Sequence, residues 1–263
     1  MSMHHTRIGR GQPLLLVHGL GGSSRSWATV SPALAQAREV VAVDLPGHGQ
    51  TQEEFDSGTF DGLARSLDKW LTDADLSGID MVGSSLGARL VLEMTRRGRA
   101  GAVVALDPGG FWKGWERTFF RTTITASIGL VRALRPALPA ITKNVAGRTA
   151  LMAQLSARPW ALNPAIISDE LRSFADTRTF NALVKDLATG ASQQGTADTQ
   201  KPIVIGWGRH DRLCLPQQAH RAKSAFPSAA LHWFEHSGHF PMWDQPQETV
   251  RVILNATERS GKH

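Results

Sequence analysis

Continuous apolar or β-branched runs at residues 13–17, 39–43, 79–82, 102–106, 203–208 and 230–234 alternate with stretches whose apolar positions recur at helical spacing. Such short runs, bounded by Gly, Pro or Asp turns, predict buried strands. Phe60, Leu63, Ala64, Leu67 and Leu71 mark one amphipathic helix. Leu90, Val91 and Met94 mark another, which Arg96, Arg97 and Gly98 would end. Further helices are predicted from about Ser26, over 217–225 and over 247–256. Strands separated by helices imply an α/β fold. Its central sheet would be mostly parallel and covered by helices on both faces, with functional residues on loops at the strand C-terminal ends.

The alternation stops at about residue 111 and resumes at about 200. Between them the pattern is mainly helical, and prolines at 136, 139, 159 and 164 divide it into short helices. The expected organisation is a core domain of residues 1–110 and 200–263, with a helical lid inserted over 111–199. An aromatic cluster of Phe111, Trp112, Trp115, Phe119 and Phe120 opens the insertion, and Trp160 lies further on.

At 263 residues the chain can bury a sizeable core. No apolar run approaches the ~18 residues that span a bilayer, and the N-terminus lacks the apolar region and cleavage site of a secretory signal. Cys214 is the only cysteine, which excludes an internal disulfide and fits a reducing cytoplasm. The net charge of +6 is concentrated: residues 117–168 carry seven Lys or Arg and no Asp or Glu. Nucleic-acid binding is not expected, because this segment has no recognised fold for it. Across 124–138 it mixes Ile, Leu and Val with Arg132 and Arg135. That pattern would suit peripheral contact with an anionic membrane, against the plainer reading of a solvated face.

Candidate chemistry sits in the turns. Gly83-Ser84-Ser85-Leu86-Gly87 follows a strand and precedes a helix; two glycines framing Ser85 suit a tight, strained turn that presents a serine hydroxyl. A glycine-rich turn, His18-Gly19-Leu20-Gly21-Gly22, follows the first strand and leaves backbone N–H groups accessible to a developing oxyanion. Asp44-Leu45-Pro46-Gly47-His48-Gly49 reads as architecture, with His48 a surface or turn histidine. A serine nucleophile needs a base, and the base an acid to orient it. The chain offers Ser85, then Asp211, then His239, each after a strand.

That order, with the Gly-x-Ser-x-Gly turn first, resembles the serine-nucleophile, lidded members of the α/β-hydrolase superfamily. The resemblance covers nearly the whole chain, from the His18–Gly22 turn to Ser237-Gly238-His239-Phe240-Pro241. It implies Ser85 as nucleophile, His239 as general base and Asp211 as orienting acid. The oxyanion donors would be the backbone N–H groups of Leu20 and Leu86. Asp107, at the end of another strand, is the alternative acid; Asp211 is preferred for its Gly-x-x-Asp turn. His236 and His239 could in principle share a metal, but no third ligand has a recognisable spacing, so no metal and no cofactor are expected.

The resemblance implies a hydrolase of carboxylic esters with small to medium apolar acyl groups. Phe111, Trp112, Trp160 and Phe240 are the candidate pocket residues, with lid core as the alternative role of the lid aromatics. A serine at the nucleophile position departs from haloalkane dehalogenases and epoxide hydrolases, which use a carboxylate there. The absence of tyrosine also excludes the epoxide hydrolases' lid tyrosines. Two other functions stay open: a carbon–carbon bond hydrolase using the same triad, and a hydrolase-like binding protein with little turnover. The oligomeric state is open.

Overall fold

The computed structural model describes residues 3–196, 199 and 201–258. Seven strands form one sheet: β1 (His5–Ile8), β2 (Pro13–Val17), β3 (Glu39–Val43), β4 (Asp80–Ser84), β5 (Val103–Leu106), β6 (Ile203–Gly208) and β7 (Ala230–Phe234). Their order across the sheet is β1-β3-β2-β4-β5-β6-β7. All neighbours are parallel except β1, which runs antiparallel to β3. Leu14 to Val17, Val40 to Val43 and Val103 to Leu106 are buried, because a parallel sheet covered on both faces needs apolar residues at successive positions rather than alternate ones.

Eleven α-helices are found among the described residues. Of those flanking the sheet, α1 (Ser31–Leu34) is a single turn, and α2 (Phe60–Asp73) and α3 (Leu86–Arg96) match the predicted amphipathic stretches. Later come α9 (Gln217–Ala225), α10 (Pro241–Asp244) and α11 (Pro246–Glu258). Instead of one helix from near Ser26, a 3-10 turn at Ser24–Trp27 precedes the separate α1. Ser23 and Ser26 cap the first piece reciprocally, and Pro32 opens the second.

Between β5 and β6 lie α4 (Glu116–Ala133), α5 (Leu138–Lys143), α6 (Val145–Met152), α7 (Pro164–Asp176) and α8 (Phe180–Thr189). Pro139 and Pro164 sit in the first turns of α5 and α7, where a missing N–H costs nothing. Among the described residues no single helix is long and apolar enough to cross a membrane. The basic residues of this region are largely engaged within the fold. Arg148 is buried against the Thr142 and Trp160 carbonyls, Arg135 pairs with Asp176, and Arg132 bonds to the end of α7. Arg121, Lys143 and Arg158 stay exposed.

Chain order reverses between β2 and β4, which lie side by side with Val17 opposite Gly83. A crevice forms at the C-terminal ends of strands where connections diverge in this way. The sheet therefore brings the turn after β2 and the turn after β4 together, with the loops after β5, β6 and β7 following along the same edge.

Candidate active site

Ser85 joins β4 to α3 with φ +55° and ψ −111°, a strained conformation for a residue with a side chain. Neighbouring backbone holds it: the Ser85 amide donates to the Leu106 carbonyl on β5 at 2.9 Å, and the Arg89 amide donates to the Ser85 carbonyl at 3.1 Å. The framing glycines are a packing requirement. A Cβ on Gly83 would lie 2.2 Å from the Gly87 carbonyl oxygen, and one on Gly87 would lie 2.1 Å from that of Val17.

His239 follows β7 in a buried loop. Its amide donates to the Leu155 carbonyl at 2.9 Å, and Asp244 accepts the Gly238 amide at 2.8 Å. The ring spans two partners. Nδ1–H donates to Asp211 Oδ2 at 2.8 Å, so Nε2, 2.8 Å from Ser85 Oγ, is left to accept the serine proton. Asp211 in turn accepts the Leu213 and Cys214 amides on Oδ1, at 2.7 and 3.0 Å. Asp107 is also buried, but its Oδ1 accepts the Gly208 amide at 2.8 Å, and His239 bonds to Asp211 instead.

The turn after β2 is shaped by His18. Its Nδ1–H donates to the Gly19 carbonyl at 2.7 Å, while Nε2 accepts the Leu45 amide at 3.0 Å. Burial lowers the His18 pKa and keeps the ring neutral, as this bonding requires. The Leu20 amide donates to no acceptor among the described residues, and Leu86 opens α3, where helix amides lack intrahelical partners. His48 is in a turn as expected but is buried, not at the surface. It packs 5.1 Å from the His18 ring, and burial, reinforced by His18, pushes its pKa down to about 3. Asp44 is architectural: it accepts the Ser24 and Gln50 amides at 2.6 and 2.8 Å.

The profile of the alpha/beta hydrolase family matches residues 14–252. The chain belongs to that family. A 2-hydroxy-6-oxo-2,4-heptadienoate hydrolase of Pseudomonas putida is 26% identical over 272 residues, covering 94% of this chain and 89% of the relative. An uncharacterised Mycobacterium tuberculosis protein is 26% identical over 255 residues, or 93% of this chain and 75% of the relative. Among solved structures, a thermophilic esterase from Thermogutta terrifontis aligns with a TM-score of 0.77 at 18% identity, covering 98% of this chain and 93% of the other.

In this alpha/beta hydrolase a cavity opens beside Ser85 and His239, with Leu20 and Leu86 on its wall. Its volume is about 60 Å³. Of the four aromatic residues singled out in the sequence, Trp112 and Phe240 line it. Phe111 and Trp160 do not. Phe111 is buried elsewhere in the core, since it and Trp112 are successive residues of an irregular stretch and point apart. Trp160 is 53% exposed on a 3-10 turn, and its carbonyl accepts from Arg148.

The sequence reading missed most of the wall. Phe120, Ile124, Ile128 and Val131 form one face of α4, with Phe174 of α7 and with Phe180 and Leu187 of α8 beside them. The spacing of 120, 124, 128 and 131 was the available signal. Arg89, one helical turn after Ser85, was also missed. It is 4% exposed, lines the cavity, and donates to Gln193 Oε1 at 3.2 Å and the Ala191 carbonyl at 2.8 Å. Its guanidinium lies 3.9 Å over the Phe60 ring, and burial pulls its pKa down to about 10.

His236 is exposed while His239 is buried, so the two share no site. Donor atoms of Asp211, Cys214 and His239 do lie within 4.8 Å of one another. The Asp211–His239 hydrogen bond already occupies two of them. Burial pushes the Cys214 thiol well up, which opposes the thiolate a metal needs.

Proposed function

We propose that this alpha/beta hydrolase cleaves carboxylic esters through an acyl-enzyme on Ser85. The observation that carries the proposal is the Ser85–His239–Asp211 chain, with both contacts at 2.8 Å, opening on an apolar cavity. His239 Nε2 takes the Oγ proton as Oγ attacks the ester carbonyl, and Asp211 stabilises the resulting imidazolium. The Leu20 and Leu86 amides receive the oxyanion, each such donor being worth ~3 kcal/mol in the transition state. His239 then protonates the departing alkoxide. A water deprotonated by His239 releases the acid and restores Ser85. The helices between β5 and β6 act as a lid, and the narrow cavity favours small to medium apolar acyl groups.

The test is hydrolysis of chromogenic esters of graded acyl length by the wild type and Ser85→Ala side by side. Turnover is expected in the wild type and lost in a folded Ser85→Ala protein; normal turnover in that variant would overturn the proposal. The preferred acyl length sizes the cavity.

A carbon–carbon bond hydrolase is the second reading, favoured by Arg89. It is the one permanently charged side chain on the cavity wall, a partner for a substrate carboxylate. The Pseudomonas putida relative is named for such a substrate. Turnover of a 2-hydroxy-6-oxodienoate with no ester activity would select this reading. Tight binding of a ligand that emerges unchanged would instead select a binding protein.

A further inference from the structure

Two buried carboxyl groups meet behind His239. Asp107 ends β5 in a left-handed conformation, φ +47°, which costs an aspartate ~1 kcal/mol or more and persists only where the surroundings impose it. Its Oδ1 accepts the Gly208 amide, its buried Oδ2 meets no donor among the described residues, and the carboxyl lies in hydrogen-bond contact with that of Asp211. Two ionised carboxylates in contact, away from water, repel strongly, so one of them must hold a proton. The bonding decides which. Asp211 accepts two amides and the His239 N–H, three donors that stabilise its charged form, whereas Asp107 has one amide.

We propose that Asp107 is a neutral carboxylic acid whose Oδ2–H donates to the Asp211 carboxylate, making Asp107 a positioning residue behind the triad. The assignment gives the orphaned Oδ2 a partner and Asp211 a fourth donor. That donor locks the plane of the Asp211 carboxylate, and with it the direction in which Oδ2 meets the His239 ring. No proton is transferred: Asp107 keeps its own while His239 moves that of Ser85.

The groups around Asp107 agree. Burial raises its pKa most, the Asp211 charge next, and Asp244 on α10 further, against the Gly208 amide. The Cys214 thiol, which feels both carboxyl groups, is itself held protonated by burial. His239 faces Asp211 rather than Asp107.

The kinetic consequence rests on the proposed triad, but the proton does not, so the test reads the proton first. Infrared difference spectra of wild type minus Asp107→Asn, at neutral pH, are expected to show the carbonyl stretch of one protonated carboxyl that the variant lacks, the contribution of Glu170 being common to both proteins and cancelling. The same band should persist in Ser85→Ala, which has no turnover to complicate it. Its absence from the wild type would overturn the proposal, whatever the enzyme hydrolyses.

On an ester substrate, Asp107→Asn is expected to keep kcat within about threefold, because its amide N–H can still donate to Asp211. Asp107→Ala is expected to lose about tenfold in kcat at unchanged KM. Equal kcat in folded Asn and Ala variants would overturn the positioning role. If Asp107→Ala fails to fold, the infrared band and the Asn variant still decide the matter.

Discussion

Ser173 on α7 donates its hydroxyl to the Gly21 carbonyl at 2.8 Å, so a helix of the segment between β5 and β6 fastens the turn that carries the Leu20 amide. Thr177 Oγ1 reaches the same carbonyl at 3.3 Å, and Ser26 donates to Glu170 Oε1 at 2.6 Å one turn away. The helical segment thus shapes the proposed oxyanion turn as well as the roof of the cavity.

Ser173→Ala should therefore lower kcat more than it lowers stability. One lost neutral hydrogen bond predicts a fall of about fivefold, equivalent to ~1 kcal/mol, with Thr177 retaining part of the hold. Steady-state kinetics and thermal melts on the same preparation check this; a lower Tm with unchanged kcat would detach α7 from the oxyanion turn.

Asp211→Asn should cost about 10⁴-fold in kcat, because an amide facing Nδ1 favours the wrong imidazole tautomer. The loss should far exceed that in Asp107→Asn. The reverse ranking would make Asp107 the acid.

Glu170 gives the fold a pH dependence. Burial raises its pKa from 4.5 to about 7, with the Ser26 hydroxyl pulling the other way and Asp169 adding a little. The folded state therefore holds a proton that the unfolded chain releases. Its stabilising contribution is complete below pH ~4.5 and is lost as pH rises through about 7, a change of roughly 3 kcal/mol. Glu170→Gln removes that dependence, so urea midpoints of variant and wild type should diverge as pH rises across the window. Parallel curves would mean that Glu170 titrates normally.

Gly83→Ala and Gly87→Ala should each destabilise by ~3 kcal/mol or more, since the new methyl group meets backbone oxygen that cannot swing aside. Loss of soluble protein or a large drop in denaturant midpoint is expected. Tolerance of either substitution would show that α3 can shift relative to β2 and β4.

The six parallel strands were found; β2, β3, β5 and β6 were legible as apolar runs buried at nearly every position, while β4 and the partly exposed β7 were legible from shorter runs ending in turn residues. β1 was not, because His5 to Ile8 are exposed throughout and carry no apolar run, their pairing with β3 resting on the backbone ladder and one Arg7–Glu39 ion pair. The Ser85 turn was legible for a local reason: strand, glycine, serine, glycine and helix lie within about a dozen residues. The cavity wall was not, since Trp112 and Phe111 differ only in which way an irregular backbone turns them.

The sequence alone determined the order of the six parallel strands and of the main helices between them, the strained serine turn, and the short set of residues able to carry hydrolytic chemistry. Local periodicity and glycine placement encode those features directly. Only the tertiary structure decided that Asp211 rather than Asp107 meets His239, that Phe120 and Ile124 line the cavity while Trp160 faces solvent, and that Ser173 holds Gly21. Each depends on groups far apart in the chain meeting at hydrogen-bond or van der Waals distance. Those distances follow from the order of strands across the sheet and the packing of helices over its edge, and neither leaves a period in the sequence.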